Sequence, residues 1–245
     1  MKRNIAVITH QIPFSKMPYV WQAIEDFKGY MGACDLPVSI EPIGELEPLL
    51  RRQGVDLRTI PQPNDAGHVD KGSLDSFCTF DVKIAARKGL VNFSDILVVL
   101  NKPIVETGEV LARAWHIHSR RGVYYGVGQS AQRAGGYGAV TLHPLDSLKS
   151  EQDKLRFLQY VFRHEPGHMI GGLQDQAQDS EDSIMKPVLE ATPELLAAKN
   201  IEFTQEQIEV IRAYIERYNM DSYRTWQLER DTLPEMSEPV IFSIS

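Results

Sequence analysis

Two short stretches, Ile5 to Thr9 (IAVIT) and Asp95 to Leu100 (DILVVL), are apolar and largely β-branched with almost no interruption. A strand with one wet face alternates apolar and polar residues, so an unbroken apolar run predicts a strand covered on both sides. Alternating strands and helices would supply that cover. The residues between the two runs fit this. Val20, Ile24, Phe27 and Met31 recur at i, i+4, i+7 and i+11 with Pro18 near the start, which predicts a helix. Val38 to Ile43 alternates and predicts a second strand. The expectation is an α/β fold on a twisted mixed sheet. PQPNDAGHVDKGS, residues 61 to 73, has no usable periodicity and reads as a long surface loop.

Further along, Thr107 can cap a helix through TGEVLARAWHIHSR, and GVYYGVG and AGGYGAVTLH are glycine-punctuated strand candidates. Ser150, followed by Glu151 and Asp153, opens another helix, its acidic residues placed against the unpaired N–H groups of the first turn. A short helix is expected near Pro193. A longer one carries a capping box at Thr204 and Gln207 and an apolar row at Ile208, Ile211 and Ile215. The tail from about Asp231 reads as irregular.

Charge narrows the function. The 245 residues include 26 basic and 33 acidic side chains, a net charge of −7, whereas nucleic acids and anionic membranes want a basic face. No apolar run reaches the length of a membrane span. The opening MKRNIAVITHQIPF is too short in its apolar part for a signal peptide and reads as the first strand. Cys34 and Cys78 cannot form a disulfide framework, and are expected as reduced, buried thiols in a cytoplasmic protein.

The helix opened by Ser150 carries the chemistry. His164-Glu165-Pro166-Gly167-His168 is an HExxH. One helical turn separates the histidines, so both imidazoles leave the same face and can grip one ion. Phe157, Val161, His164 and His168 form one stripe, which sets the pair on an inward face. Glu165 projects about a hundred degrees away, close enough to reach a water on that ion and act as general base. Pro166 removes the helical bond to the carbonyl of Phe162, at a cost of up to about 3 kcal/mol. Gly167 adds looseness to the same turn.

Beyond the motif come Gly171, Gly172 and the run Ser183-Ile184-Met185. Here the sequence resembles the metzincin clan of zinc peptidases, whose signature is HExxHxxGxxH or HExxHxxGxxD followed by a tight methionine turn. His164, Glu165, His168, Gly171 and Met185 match it position by position. The resemblance implies a metzincin-like α/β fold in which residues 1–171 form an N-terminal lobe ending in the active-site helix. Residues 172–245 would then form a smaller, mostly helical C-terminal lobe. It implies Zn2+ as cofactor, Glu165 as the catalytic base, Gly171 as the residue that turns the chain back under the metal, and Met185 as a floor beneath it. It also implies a peptide substrate extended along the edge strand near Gly135 to Leu142.

The third ligand is where the sequence departs from the signature, because Gln174 occupies that position. An amide oxygen is a poor zinc ligand and brings no charge. If the Gly171-Gly172 pair lengthens the turn by one residue, Asp175 becomes the third ligand, and ligand chemistry favours it. Glu190 lies at the spacing used by the other large HExxH group. The set is then His164, His168 and Asp175, and the implied function is a zinc-dependent metallopeptidase. The alternative is a catalytically degenerate relative kept as a binding module, for which Gln174 and Pro166 speak. His116-x-His118, His143 and the tyrosines Tyr214, Tyr218 and Tyr223 are weaker candidates, with packing or a surface position as their default.

Overall fold

The computed structural model describes residues 3–52, 54, 57–63, 67–77, 95–105, 123–124, 126–129, 137–176, 182–186 and 192–217. The strands are β1 (Arg3–His10), β2 (Val38–Glu45), β3 (Val69–Asp70), β4 (Asp95–Leu100), β5 (Ile104–Val105), β6 (Val123–Tyr124), β7 (Gly126–Gln129) and β8 (Tyr137–Thr141). The helices are α1 (Met17–Ala33), α2 (Leu46–Arg52), α3 (Lys71–Phe77), α4 (Glu151–Gly171), α5 (Pro193–Ala198) and α6 (residues 205–217). The main sheet has the order β2-β1-β4-β8-β7. The first four strands run parallel and β7 runs antiparallel to β8. β3, β5 and β6 form a separate small sheet.

The two apolar runs are the centre of the main sheet. All of β4 is buried, and successive residues serve opposite cores because side chains alternate across a strand. Leu97 and Val99 join Ile5 and Val7 on the side covered by α1, α4 and α6. Ile96, Val98 and Leu100 join Ile8 on the side covered by α2 and α3. Phe27, Phe157 and Phe162 are fully buried on the first side, each contributing about 1.5–3 kcal/mol. At the outer edge β2 carries Pro42, and its pairing shifts register between Val7 and Ile8. A bulge and a proline on an edge strand deter pairing with another chain.

Two expectations are corrected. The stretch 61–73 is not all loop: Val69 is buried and pairs with Ile104, and α3 starts at Lys71. Its glycines and polar residues hid a two-residue strand that draws its burial from the far side of the sheet. The edge strand expected near Gly135 to Leu142 is not at an edge either: β8, Tyr137–Thr141, lies between β4 and β7, and β7 is the edge among the described strands. The expected helix through Thr107, with His116 and His118, lies outside the described residues, as do Cys78, Glu190, Tyr218, Tyr223 and the tail from Asp231. No helix among the described residues is long and apolar enough to cross a membrane.

One buried ion pair ties the sheet to α4. Arg3 is buried and donates from Nε to Asp95 Oδ2 at 2.8 Å and from a terminal nitrogen to Oδ1. The guanidinium also reaches the carbonyls of Met169 at 3.4 Å and Ile170 at 3.5 Å. Those carbonyls end a helix, where acceptors lack intrahelical partners and carry partial negative charge. A cation there serves the adjacent strands β1 and β4 and the end of α4 at once.

Candidate metal centre

Ser150 caps α4 by accepting from the N–H of Asp153 at 3.0 Å, and the helix runs unbroken through Pro166 to Gly171. The distortion expected from the proline does not spread the histidines. His164 Nε2 and His168 Nε2 stand 3.3 Å apart. Gly167 has a packing reason rather than looseness: a Cβ there would lie 2.8 Å from Met185 Sδ and 3.2 Å from Phe203. The methionine turn can seat against the helix only where that side chain is missing.

The helix ends one residue later than the motif implies. Gly171 is its last residue and packs so closely on α6 that a Cβ would meet Ile211 at 2.6 Å. Gly172 is the left-handed residue, with φ of 60°, which glycine adopts without a Cβ penalty. Its N–H bonds to the carbonyl of His168 at 3.1 Å. The longer turn carries Asp175, not Gln174, back to the histidines. Asp175 Oδ1 lies 3.3 Å from His164 Nε2 and 3.3 Å from His168 Nε2. Gln174 is exposed and donates to the carbonyl of Gly172 at 3.3 Å.

Among the described residues these three form the one group of His, Cys, Asp and Glu side chains able to hold a metal ion. The 3.3 Å triangle can be tested against zinc. A tetrahedral ion bonded at about 2.0–2.1 Å needs ligand atoms about 3.3–3.4 Å apart. The donors are also prepared. His164 Nδ1 donates to the carbonyl of Ile184 at 2.7 Å, and His168 Nδ1 donates to the carbonyl of Leu173 at 2.6 Å. A carbonyl only accepts, so each bond keeps a proton on Nδ1 and directs Nε2 inward. His164 and His168 are 6% and 14% exposed and Asp175 is 55% exposed, so the cluster opens to solvent on the aspartate side.

The electrostatics follow from three acceptors aimed at one point. Burial pulls the His168 imidazolium down. The Asp175 hydrogen bond, the charges of Glu165 and Asp175 and the Leu173 carbonyl outweigh it and raise the group to about 9. Burial acts on Asp175 in the opposite direction to its two imidazole neighbours, which hold it well below the usual carboxylate range. Glu165 is buried beside the cluster, and burial lifts its carboxyl above the ordinary range against the pull of both histidines and Lys71; the Asp175 charge adds to the lift.

No known family pattern matches the sequence and no curated protein matches it. Solved structures do. The archaemetzincin of Methanopyrus kandleri is similar with a TM-score of 0.55 and 13% identity, over 88% of this chain and 96% of that one. The fold resembles that of an archaemetzincin. A zinc-dependent peptidase from Methanocorpusculum labreanum also matches, with a TM-score of 0.46 and 14% identity, over 84% of this chain and 99% of that one.

The parts of the centre that sequence reading missed are mostly main chain. The carbonyls of Ile184 and Leu173 orient the imidazoles, and a backbone group leaves no residue-type signal. The Arg3–Asp95 pair was open to notice only as a charge beside each apolar run. His143 is exposed at the start of a short 3-10 turn, away from any metal group among the described residues. Tyr214 packs its ring against the backbone at Gly172. Cys34, expected to be buried, is half-buried at the end of α1, where burial raises its thiol.

Proposed function

We propose that this chain is a zinc-dependent metallopeptidase that hydrolyses peptide bonds. The observation that carries the reading is the 3.3 Å triangle of His164, His168 and Asp175 with Glu165 buried at its side. His164, His168 and Asp175 would hold the ion, two neutral imidazoles and one carboxylate leaving a position open to solvent. Zinc bound there would supply Lewis acidity toward a carbonyl oxygen and toward water.

The other tasks fall to the chain. Glu165, set in surroundings that disfavour its charge, is matched to taking a proton from the attacking water and returning it to the leaving amine. Met185 is buried against Gly167 and backs the helix between the two histidines. The side of β7 that pairs with no strand among the described residues suits addition of an extended peptide by main-chain hydrogen bonds. The two features that spoke for a degenerate relative have physical accounts: Gln174 is replaced by Asp175, and the helix carries Pro166 with its histidines converging.

The test pairs zinc content with cleavage of a fluorogenic peptide library by the wild type and Glu165→Gln. The wild type should bind one zinc and cleave. The variant should keep the metal and lose about 10²–10⁴-fold in kcat. A zinc-loaded wild type that cleaves nothing favours the degenerate reading, and equal cleavage by both removes Glu165 from its role.

A further inference from the structure

We propose that Lys199 and Gln207 are positioning residues for the metal centre: together they lock the Ser183–Ile184–Met185 turn whose Ile184 carbonyl fixes the proton and the aim of His164. This rests on the reading of His164 as a metal ligand.

The Ile184 carbonyl that accepts from His164 at 2.7 Å can point only where its two flanking peptide planes allow. Both planes are pinned. The plane after Ile184 ends in the Met185 N–H, which donates to Ser183 Oγ at 3.2 Å. That hydroxyl also accepts from Gln207 Nε2 at 2.8 Å. The plane before Ile184 begins with the Ser183 carbonyl, which accepts from Lys199 Nζ and from the Lys186 N–H at 3.0 Å. Each plane is therefore held by one side chain from outside the turn, one from just past α5 and one from the first turn of α6.

Neither anchor is placed as packing alone would place it. Lys199 is 6% exposed, and its ammonium lies 3.2 Å from Asp182 Oδ1 and over the ring of Tyr160 at 5.8 Å. Tyr160 in turn packs on the His164 ring, centroids 5.1 Å apart. Burying an ammonium costs more than burying an apolar side chain of that size, so its retention here points to what it holds. Gln207 is buried as well, and its orientation is fixed by its own network. Oε1 accepts from the Thr204 N–H at 3.0 Å, which leaves the amide N–H₂ for Ser183. The capping box of α6 is thus coupled to the methionine turn, and through one carbonyl to the first imidazole of the HExxH.

Groups that orient a ligating histidine typically change metal affinity by 10–100-fold when removed. The experiment reads two quantities on full-length protein labelled with ¹⁵N-histidine. In the metal-free state, long-range ¹H–¹⁵N correlation should show wild-type His164 with its proton on Nδ1. Lys199→Met and Gln207→Met should each turn this into a mixture of the two ring forms. Zinc affinity, measured by competition with a chromophoric chelator, should fall about 10–100-fold. Lys199→Arg should recover part of both. Leu50→Ala, a destabilising change in the core on the other side of the sheet, should move neither reading.

Folded Lys199→Met that keeps the wild-type His164 ring form and zinc affinity overturns the proposal. If Lys199→Met does not fold, Gln207→Met decides on the same two readings. A wild type that binds no zinc sinks the metal reading, while the ring form of His164 in the metal-free variants still decides the positioning claim.

Discussion

The first three turns of α4 and the last two obey different rules. From Glu151 to Phe162 the helix is built by propensity and burial. Ser150 caps it, acidic residues face its positive end, and Phe157, Leu158, Val161 and Phe162 pack inward. From Arg163 onward the buried residues include Arg163, His164 and Glu165. Each needs a partner because burial without one is costly. The partners come from elsewhere: Arg163 donates to Asp26 at 2.8 Å and to the Ile201 carbonyl at 3.1 Å, His164 to Ile184, and His168 to Leu173. The first part is stable through its own sequence. The second is held in shape by loops, by Asp26 of α1 and by Arg3 of β1, and that is where the candidate metal centre sits.

The largest test of that contrast lies at the clamp on the end of α4. Arg3→Met takes the guanidinium away from an Asp95 carboxylate that is fully buried. Loss of one partner of a buried pair costs about 3–5 kcal/mol. Urea unfolding of the metal-free protein should show it, and the double change to apolar residues at Arg3 and Asp95 should recover much of it. A single variant as stable as the wild type would mean that the ion pair does not hold the helix end.

Next in size is the choice of third ligand. Asp175→Ala should weaken zinc binding by more than the roughly 100-fold reached by removal of a supporting group. Gln174→Ala should change it by no more than about twofold, since Gln174 bonds to the backbone of Gly172 and not to the cluster. Chelator competition on both variants settles the order, and equal losses would break the geometric reading of the longer turn.

Gly167→Ala sharpens the comparison from the other side. In the first half of α4 a change toward alanine would favour the helix. At 167 the added methyl would sit 2.8 Å from Met185 Sδ. Overpacking of this kind costs about 1–3 kcal/mol, so thermal unfolding should show a loss where helix propensity alone predicts a gain.

The same contrast explains what was legible in the sequence. The runs at Ile5 and Asp95, the α1 stripe and the Ser150 cap all act within one element, and period and residue type disclose them. The HExxH was legible because one helical turn sets its spacing. Asp175 could be named only by ligand chemistry, because its place depends on Gly172 rather than Gly171 taking the left-handed conformation, and two adjacent glycines look alike in a sequence. The position of β8 inside the sheet depends on a strand order that local periodicity does not encode. Val69 is buried because Ile104 pairs with it and residues distant in sequence, among them Leu46 and Val98, share its core.

The smallest effect is a pH dependence confined to the second half of α4. In the metal-free protein His168 is raised from an ordinary value of 6.5 to about 9, and Asp175 is depressed. A raised histidine contributes stability that is complete below about pH 6.5 and is lost as pH rises through about 9. The depressed aspartate contributes in the other direction, above its ordinary range and lost only in strong acid. The pair therefore supports the metal-free fold most fully at mildly acidic pH, and that support declines toward pH 9. Because Asp175 is half exposed, solvent screening should keep the decline on the order of 1 kcal/mol. Zinc held by His168 would reverse the sign, since its binding would displace the His168 proton and tighten as pH rises through the same window. Thermal midpoints of the metal-free protein between pH 6 and 10 should fall in the wild type and stay nearly level in Asp175→Asn. Parallel curves for the two proteins would place the titrating group outside the cluster.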